Sequence, residues 1–216
     1  AGRDQVKNQK WGVAPSIAFG LGTPTRITLF TQHIFQDNTP DGGVSAVGVS
    51  GWRNATLDAA GIVADRVPIS TYYGLDSDYE KIDGNTFSAR VEHDIKPGYT
   101  FSNISRYSRV SQNRLLTTPL QAPVVSDGTG ENLVIRDPAD WTQGLSRQGI
   151  DRDNELLTNQ SNIRGSFKTG VIDHDFASGF EFIQESQVTP TLAATVTNPA
   201  QVQQPANLYN PDSSAP

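Results

Sequence analysis

Residues 171–186 read VIDHDFASGFEFIQES, and every second residue from Ile172 onward gives His174, Phe176, Ser178, Phe180 and Phe182. The residues between them are Asp173, Asp175, Ala177, Gly179 and Glu181. Period two of this kind predicts a β-strand with one mostly apolar face and one small or acidic face. A soluble sandwich would set that apolar side against a core, and a membrane barrel would set it against lipid. One strand fits both, so the decision falls to the rest of the chain.

Three pairs of such runs flank three short turns. Lys10 to Gly22 and Arg26 to Gln36 are joined by Thr23-Pro24-Thr25. Asn85 to Ile95 and Tyr99 to Val110 are joined by Lys96-Pro97-Gly98, and Asn154 to Phe167 meets the opening strand around Lys168-Thr169-Gly170. Pro and Gly at these junctions supply the backbone angles of tight turns. Between the pairs lie polar segments at 37–84, 119–153 and 187 to the end, rich in Gly, Pro, Asp, Asn and Ser. Short and long connections therefore alternate, which puts every short turn on one edge of an up-and-down sheet and every long loop on the other. Transmembrane barrels have that asymmetry. The runs are ten residues or longer, near the roughly 9–11 that a barrel strand needs to cross a bilayer and beyond the roughly 5–6 of a globular strand.

The faces agree with this reading in part. Trp11, Val13, Pro15, Ile17, Phe19 and Leu21 oppose Gly12, Ala14, Ser16, Ala18 and Gly20; Phe87, Ala89, Val91, His93 and Ile95 oppose Thr86, Ser88, Arg90, Glu92 and Asp94. Four residues break the rule. Phe30 and Ile34 fall on the wet phase, and Asn103 and Ser105 on the greasy one.

Composition narrows the function. The 216 residues carry a net charge of −6 with no basic stripe, which argues against nucleic acid as a partner. There is no cysteine, hence no disulfide, thiolate metal site or cysteine nucleophile. No run approaches the roughly 18 apolar residues of a spanning helix, a test that barrel strands escape. Neither end looks like a natural terminus, so the chain reads as a piece of a longer protein.

The stretches WGVAPSIAFGLGTPTRITLF, PDGGV, YYGLDSDYE, SARVEHDIKPGYTFSNISRYSR, RDNELLTNQSNIRGSF and HDFASGFEF follow one another in an order and spacing that resembles the middle of the barrel of TonB-dependent ferric-siderophore receptors, closest to the catecholate branch. The resemblance covers about three quarters of the chain, and its specificity lies in the succession of stretches, none of which is distinctive alone. It implies an outer-membrane barrel of about 22 strands with a plugged lumen, in a Gram-negative bacterium. It further implies iron carried as a ferric siderophore chelate and uptake driven by the TonB complex through an N-terminal segment. Residues 1–216 would be part of that barrel domain, without plug, TonB-contacting segment or remaining strands. A soluble all-β binding module and a general diffusion porin are the competing expectations.

Candidate residues follow from chemistry. Aromatics and cations in the long segments suit a flat, anionic, catechol-bearing ligand through stacking and charge-assisted hydrogen bonds. Trp52, Arg66, Tyr73 and Arg114 are the expected ligand-binding set, drawn from a group with Arg53, Tyr72, Arg136 and Trp141; Tyr72 and Tyr73 also suit an interfacial girdle. Arg90, Arg106, Arg164 and Glu181 are expected on the lumen wall, with low arginines pairing to carboxylates there or on a plug, and Arg109 on the other phase. His33, His93 and His174 share the lipid phase at different heights, which suits headgroup-level residues better than a metal triad. Asp173, Asp175 and Glu181 read as a hydrated wall, not a glycosidase pair. No protein-bound cofactor and no enzymatic grouping is legible. Asn54-Ala55-Thr56, Asn103-Ile104-Ser105 and Asn159-Gln160-Ser161 match the glycosylation triplet, which arises often by chance.

Overall fold

A computed structural model of the chain describes residues 2–190 and 205–214. One antiparallel sheet dominates. Its strands are β1 (Lys7–Val13), β2 (Ser16–Phe19), β3 (Thr25–Thr39), β4 (Tyr79–Lys96), β5 (Tyr99–Val124), β8 (Thr142–Thr169) and β9 (Ile172–Val188), with the two-residue β10 (Ala206–Asn207) beside the start of β8. Two further short strands, β6 (Ser126–Asp127) and β7 (Val134–Ile135), pair with each other, and α1 spans Ala55–Ala59. β1 and β2 are one strand in register, pairing Val13 with His33 and Ser16 with Phe30. Pro15 interrupts them because it has no N–H to give the ladder. Six long strands result, and neighbours in sequence are neighbours in space.

The short turns fall where the sequence predicts them. Pro97 and Gly98 make the corner between β4 and β5, with Gly98 at φ +82°, an angle open to glycine at little cost. At the same edge Arg26 forks onto Asp94, Nη1 to Oδ2 at 2.6 Å and Nη2 to Oδ1 at 3.0 Å, and Thr100 Oγ1 donates to Asp94 Oδ1 at 3.0 Å. This ties the first hairpin to the second. The long segments are shorter than expected, because β5 runs on to Val124 and β8 begins at Thr142. The expected 119–153 loop is thus largely a ribbon extending the sheet. Both of its faces carry polar residues, so it has no apolar alternation to betray it. The segment from 187 onward is strand to Val188, and residues 191–204 lie outside the described residues.

The register carries one phase across the sheet. Phe87, Tyr107, Leu157 and Gln184 form one row of the apolar face, and Ser88, Arg106 and Thr158 one row of the polar face. A second sheet over the apolar face would bury its aromatics, but Phe176, Phe180 and Phe182 are 37%, 68% and 54% exposed. That excludes the sandwich. Near the short turns the apolar face carries an aromatic belt: Tyr99 lies 6.0 Å from Phe176 between ring centres, Phe167 stacks on His174 at 4.8 Å, and Lys96 Nζ lies 4.0 Å from the Tyr99 ring centre. Tyr99 and Phe176 fold over Gly165, where an added Cβ would come within 2.5 Å of Tyr99 Cδ1 and 2.6 Å of Phe176 Cε1.

Candidate ligand-facing surface

The buried apolar core lies at the loop edge. Val47, Leu57, Val67, Tyr73, Val125, Trp141 and Leu208 form it. Asn54 caps α1 by accepting from Thr56 N at 3.1 Å and Leu57 N at 3.2 Å, which turns Leu57 inward. Trp141 Nε1 donates to Arg136 O at 3.0 Å, Leu208 N donates to Trp141 O at 2.8 Å, and the Tyr73 hydroxyl donates to Leu208 O. The segment 70–78 is pinned to the upper ribbon through Asp78, whose side chain is fully buried. Its carboxylate accepts from Thr117 N at 2.8 Å, Thr117 Oγ1 at 2.9 Å and Leu75 N at 3.2 Å, with Arg147 Nε 3.7 Å away. The YYGLDSDYE stretch thus acts as an anchor.

This core redistributes the expected ligand-binding set. Tyr73 is 1% exposed, and burial raises its hydroxyl pKa above the ordinary tyrosine value. Its ring serves packing and offers no face to a ligand. Neither does it serve a membrane girdle, and the same correction applies to Tyr72, whose pKa burial pushes up to about 12. Trp141 is core as well. Trp52 packs partly buried against this layer, and Arg66 is exposed on it, its backbone close beneath Gly48. Arg53 is exposed and lies 3.6 Å from Asp58, while Arg136 pairs with Asp127.

Arg114 belongs to a different surface. It lies on the polar phase of upper β5, opposite Glu80 on β4 and Ile150 on β8. Glu80 does not pair with it; that carboxylate accepts from Gln112 Nε2 at 3.0 Å and Asn38 Nδ2 at 3.3 Å. Gln112 faces Arg152 across the strands, so Arg114 and Arg152 are diagonal neighbours on one face. The Nε of each is buried without a hydrogen-bond partner. Among the described residues no carboxylate pairs with either guanidinium, so the two make this part of the face cationic. Arg152 is the member that sequence reading missed, because it stood in the presumed loop, where no strand phase could be assigned.

Lower on the polar face, Arg90, Arg106, Arg164 and Glu181 are exposed. The expected wall pairs are not formed: among the described residues none of these three arginines makes an ion pair, and Arg106 Nε donates to Ser88 Oγ at 3.3 Å. Arg90, Glu92, Arg164 and Asn162 line a hollow of ≈ 460 Å³. Arg109 lies on the apolar phase as expected, 3.3 Å from Asp153 and 4.0 Å from Glu155. His33 Nδ1 bonds Asn85 Oδ1 at 2.6 Å, and His93 Nδ1 bonds Thr25 Oγ1 at 2.8 Å. The three histidines do not converge.

No family model matches the chain. It is 40% identical over 215 residues, 99% of its length, to the catecholate siderophore receptor Fiu of Escherichia coli K12. It is 31% identical over 175 residues to the probable TonB-dependent siderophore receptor PiuA of Acinetobacter baumannii. The crystal structure of the ferric-catecholate import receptor Fiu in its closed form superposes with a TM-score of 0.82 at 37% identity, covering 100% of this chain and 29% of that one. The chain spans 27% of the length of the Fiu sequence and 21% of PiuA.

Proposed function

Because the chain belongs, by sequence and by its partial-barrel fold, to the TonB-dependent siderophore receptors, we propose that the protein containing it imports ferric siderophores of the catecholate type. The reading places it in the outer membrane of a Gram-negative bacterium, with the TonB complex as energy source and outer-membrane lipid around it. Iron is cargo in this reading, carried as its chelate, and the chain performs no catalysis.

One observation carries the recognition step: Arg114 and Arg152 sit side by side on the polar face, and among the described residues neither has an ion-pair partner. A ferric tris-catecholate is a trianion whose paired oxygens fit the fork of a guanidinium. Trp52 and Arg66, on the loop layer, supply a stack and a further cation. This stretch carries a net charge of −6 and itself offers an anion no attraction over distance, so its own part in capture relies on these local contacts. The experiment compares the full-length receptor binding ferric tris-catecholate and a neutral ferric tris-hydroxamate. The catecholate should bind, and Arg114→Gln or Arg152→Gln should weaken it by tenfold or more, about 1.4 kcal/mol. Equal affinity for the neutral complex would contradict the charge argument.

A further inference from the structure

Two of the three glycosylation-like triplets lie face to face. Asn103-Ile104-Ser105 on β5 runs antiparallel to Asn159-Gln160-Ser161 on β8, with Asn103 paired to Ser161 and Ser105 to Asn159. All four polar side chains fall on the apolar face, against the alternation there. They form a closed square. Asn103 Nδ2 donates to Asn159 Oδ1 at 3.1 Å and to Ser161 Oγ at 2.7 Å. Asn159 Nδ2 donates to Asn103 Oδ1 at 3.3 Å and to Ser105 Oγ at 2.7 Å, and Ser105 Oγ donates to Asn103 Oδ1 at 3.3 Å. Each carboxamide thus spends both N–H groups inside the square.

The surroundings are apolar. Val91 and Ala89 flank the square on β4, Phe180 and Phe182 on β9, and the register puts Phe101 with Ile163 below it and Tyr107 with Leu157 above. Counting from Tyr99 in the aromatic belt, Asn103 and Ser105 lie about 13 and 20 Å along the strand at about 3.3 Å per residue. A strand tilt of about 40° sets them about 10 to 15 Å above the belt, near the middle of an apolar band about 25 Å tall. A lone amide there would be costly, since hydrocarbon offers no partner.

We propose that the paired Asn-x-Ser triplets are a self-satisfied clamp within the bilayer that fixes the register of β5 on β8. The square exists only in this alignment: a slip of one residue would turn one triplet to the other face, and a slip of two would set Asn103 opposite either Ile163 or Asn159, in both cases breaking the cross-strand Asn–Ser pairs. The two strands need such a device, because β5 and β8 are joined by the segment 125–141 and not by a tight turn that would set their register. The clamp goes beyond the transport reading and does not depend on the identity of the ligand.

The test is a double-substitution cycle in the full-length receptor refolded in lipid vesicles. Asn103→Leu or Asn159→Leu alone leaves one N–H and the carbonyl oxygen of the other amide without their cross-strand amide partner, whereas the double variant replaces both by apolar groups of similar shape. Each single variant should lower the denaturant midpoint, and the double variant should unfold at a higher midpoint than either single. Ser105→Ala, the mildest change, should lower the midpoint less than either asparagine variant and remain measurable if those fail to fold. Additive losses in the double variant would overturn the clamp. So would a double variant that folds and binds chelate as the wild type does but no longer imports it, because the square would then be a contact for another membrane protein.

Discussion

Above the short-turn edge, where Arg26 pairs with Asp94 and Lys168 with Asp173, the two faces of the sheet treat their polar groups differently. On the apolar face Asn103, Ser105, Asn159 and Ser161 bond to one another and leave neither amide an open N–H. On the polar face Arg90, Arg106, Arg114, Arg152 and Arg164 share the wall with Glu80, Glu92 and Glu181, yet none of these arginines forms an ion pair among the described residues. The difference follows from the medium. Hydrocarbon gives an unpaired donor nothing, so polar groups survive there only in closed sets. Water solvates a guanidinium well, and a surface ion pair gains little over that. An open arginine is therefore stable on the wet wall and remains available to a partner. Closure marks the lipid side, and on the wet side above the short turns these arginines stay without carboxylate partners among the described residues.

The largest effect is expected where the apolar face is packed most tightly. Gly165→Ala puts a methyl group into the rings of Tyr99 and Phe176, an overpacking that typically costs about 1–3 kcal/mol. It should appear as a lower denaturant midpoint of the vesicle-inserted receptor, with the chelate affinity unchanged. An unaltered midpoint would mean that the aromatic belt is loose and the apolar face less closed than described.

A second effect belongs to the loop layer, which buries Tyr72 and Tyr73 outside the spanning strands. Burial raises the hydroxyl pKa of Tyr72 and Tyr73 above the ordinary value of 10.0. A raised pKa means that the neutral form is favoured in the folded state. Their contribution is therefore whole below pH 10 and is lost as pH climbs through the folded values, which for Tyr72 is about 12. Limited proteolysis of segments 37–78 and 125–141 should accelerate from pH 10 upward while the membrane strands stay protected. A Tyr73→Phe variant should lose part of that pH dependence.

The smallest effect is expected on the open wall. Arg164→Gln removes an exposed charge with no ion-pair partner, so the denaturant midpoint should move by less than about 0.5 kcal/mol in stability. A large loss would show that Arg164 is held by a group outside this stretch, and the wall would then be less open than its own residues make it.

The membrane strands were legible in the sequence because lipid on one side and water on the other impose period two over ten residues or more. Even the exceptions were placed on the correct phase: Asn103 and Ser105 do face the apolar side, and Phe30 and Ile34 the polar one. What alternation could not give was the reason, since the clamp depends on the pairing of β5 with β8 across a long connection. The upper ribbon was illegible for a different cause. Above the bilayer both faces of residues 142–153 meet polar surroundings, so the strand carrying Arg152 looks like loop. Tyr73 carries the same ambiguity, since an aromatic in a long segment serves a loop core as readily as a ligand; its burial and its bond to Leu208 favour the core.

The contrast between the faces is tested most directly by a cysteine scan of residues 100–108 in the full-length receptor in vesicles, labelled with a small water-soluble maleimide; the stretch itself contains no cysteine. Ser102, Ile104, Arg106 and Ser108, on the polar face, should react. Phe101, Asn103, Ser105 and Tyr107 should not, despite the hydrophilic character of the middle pair. Labelling at Asn103 and Ser105 comparable to that at Ser102 and Arg106 would place the square in water and contradict the account.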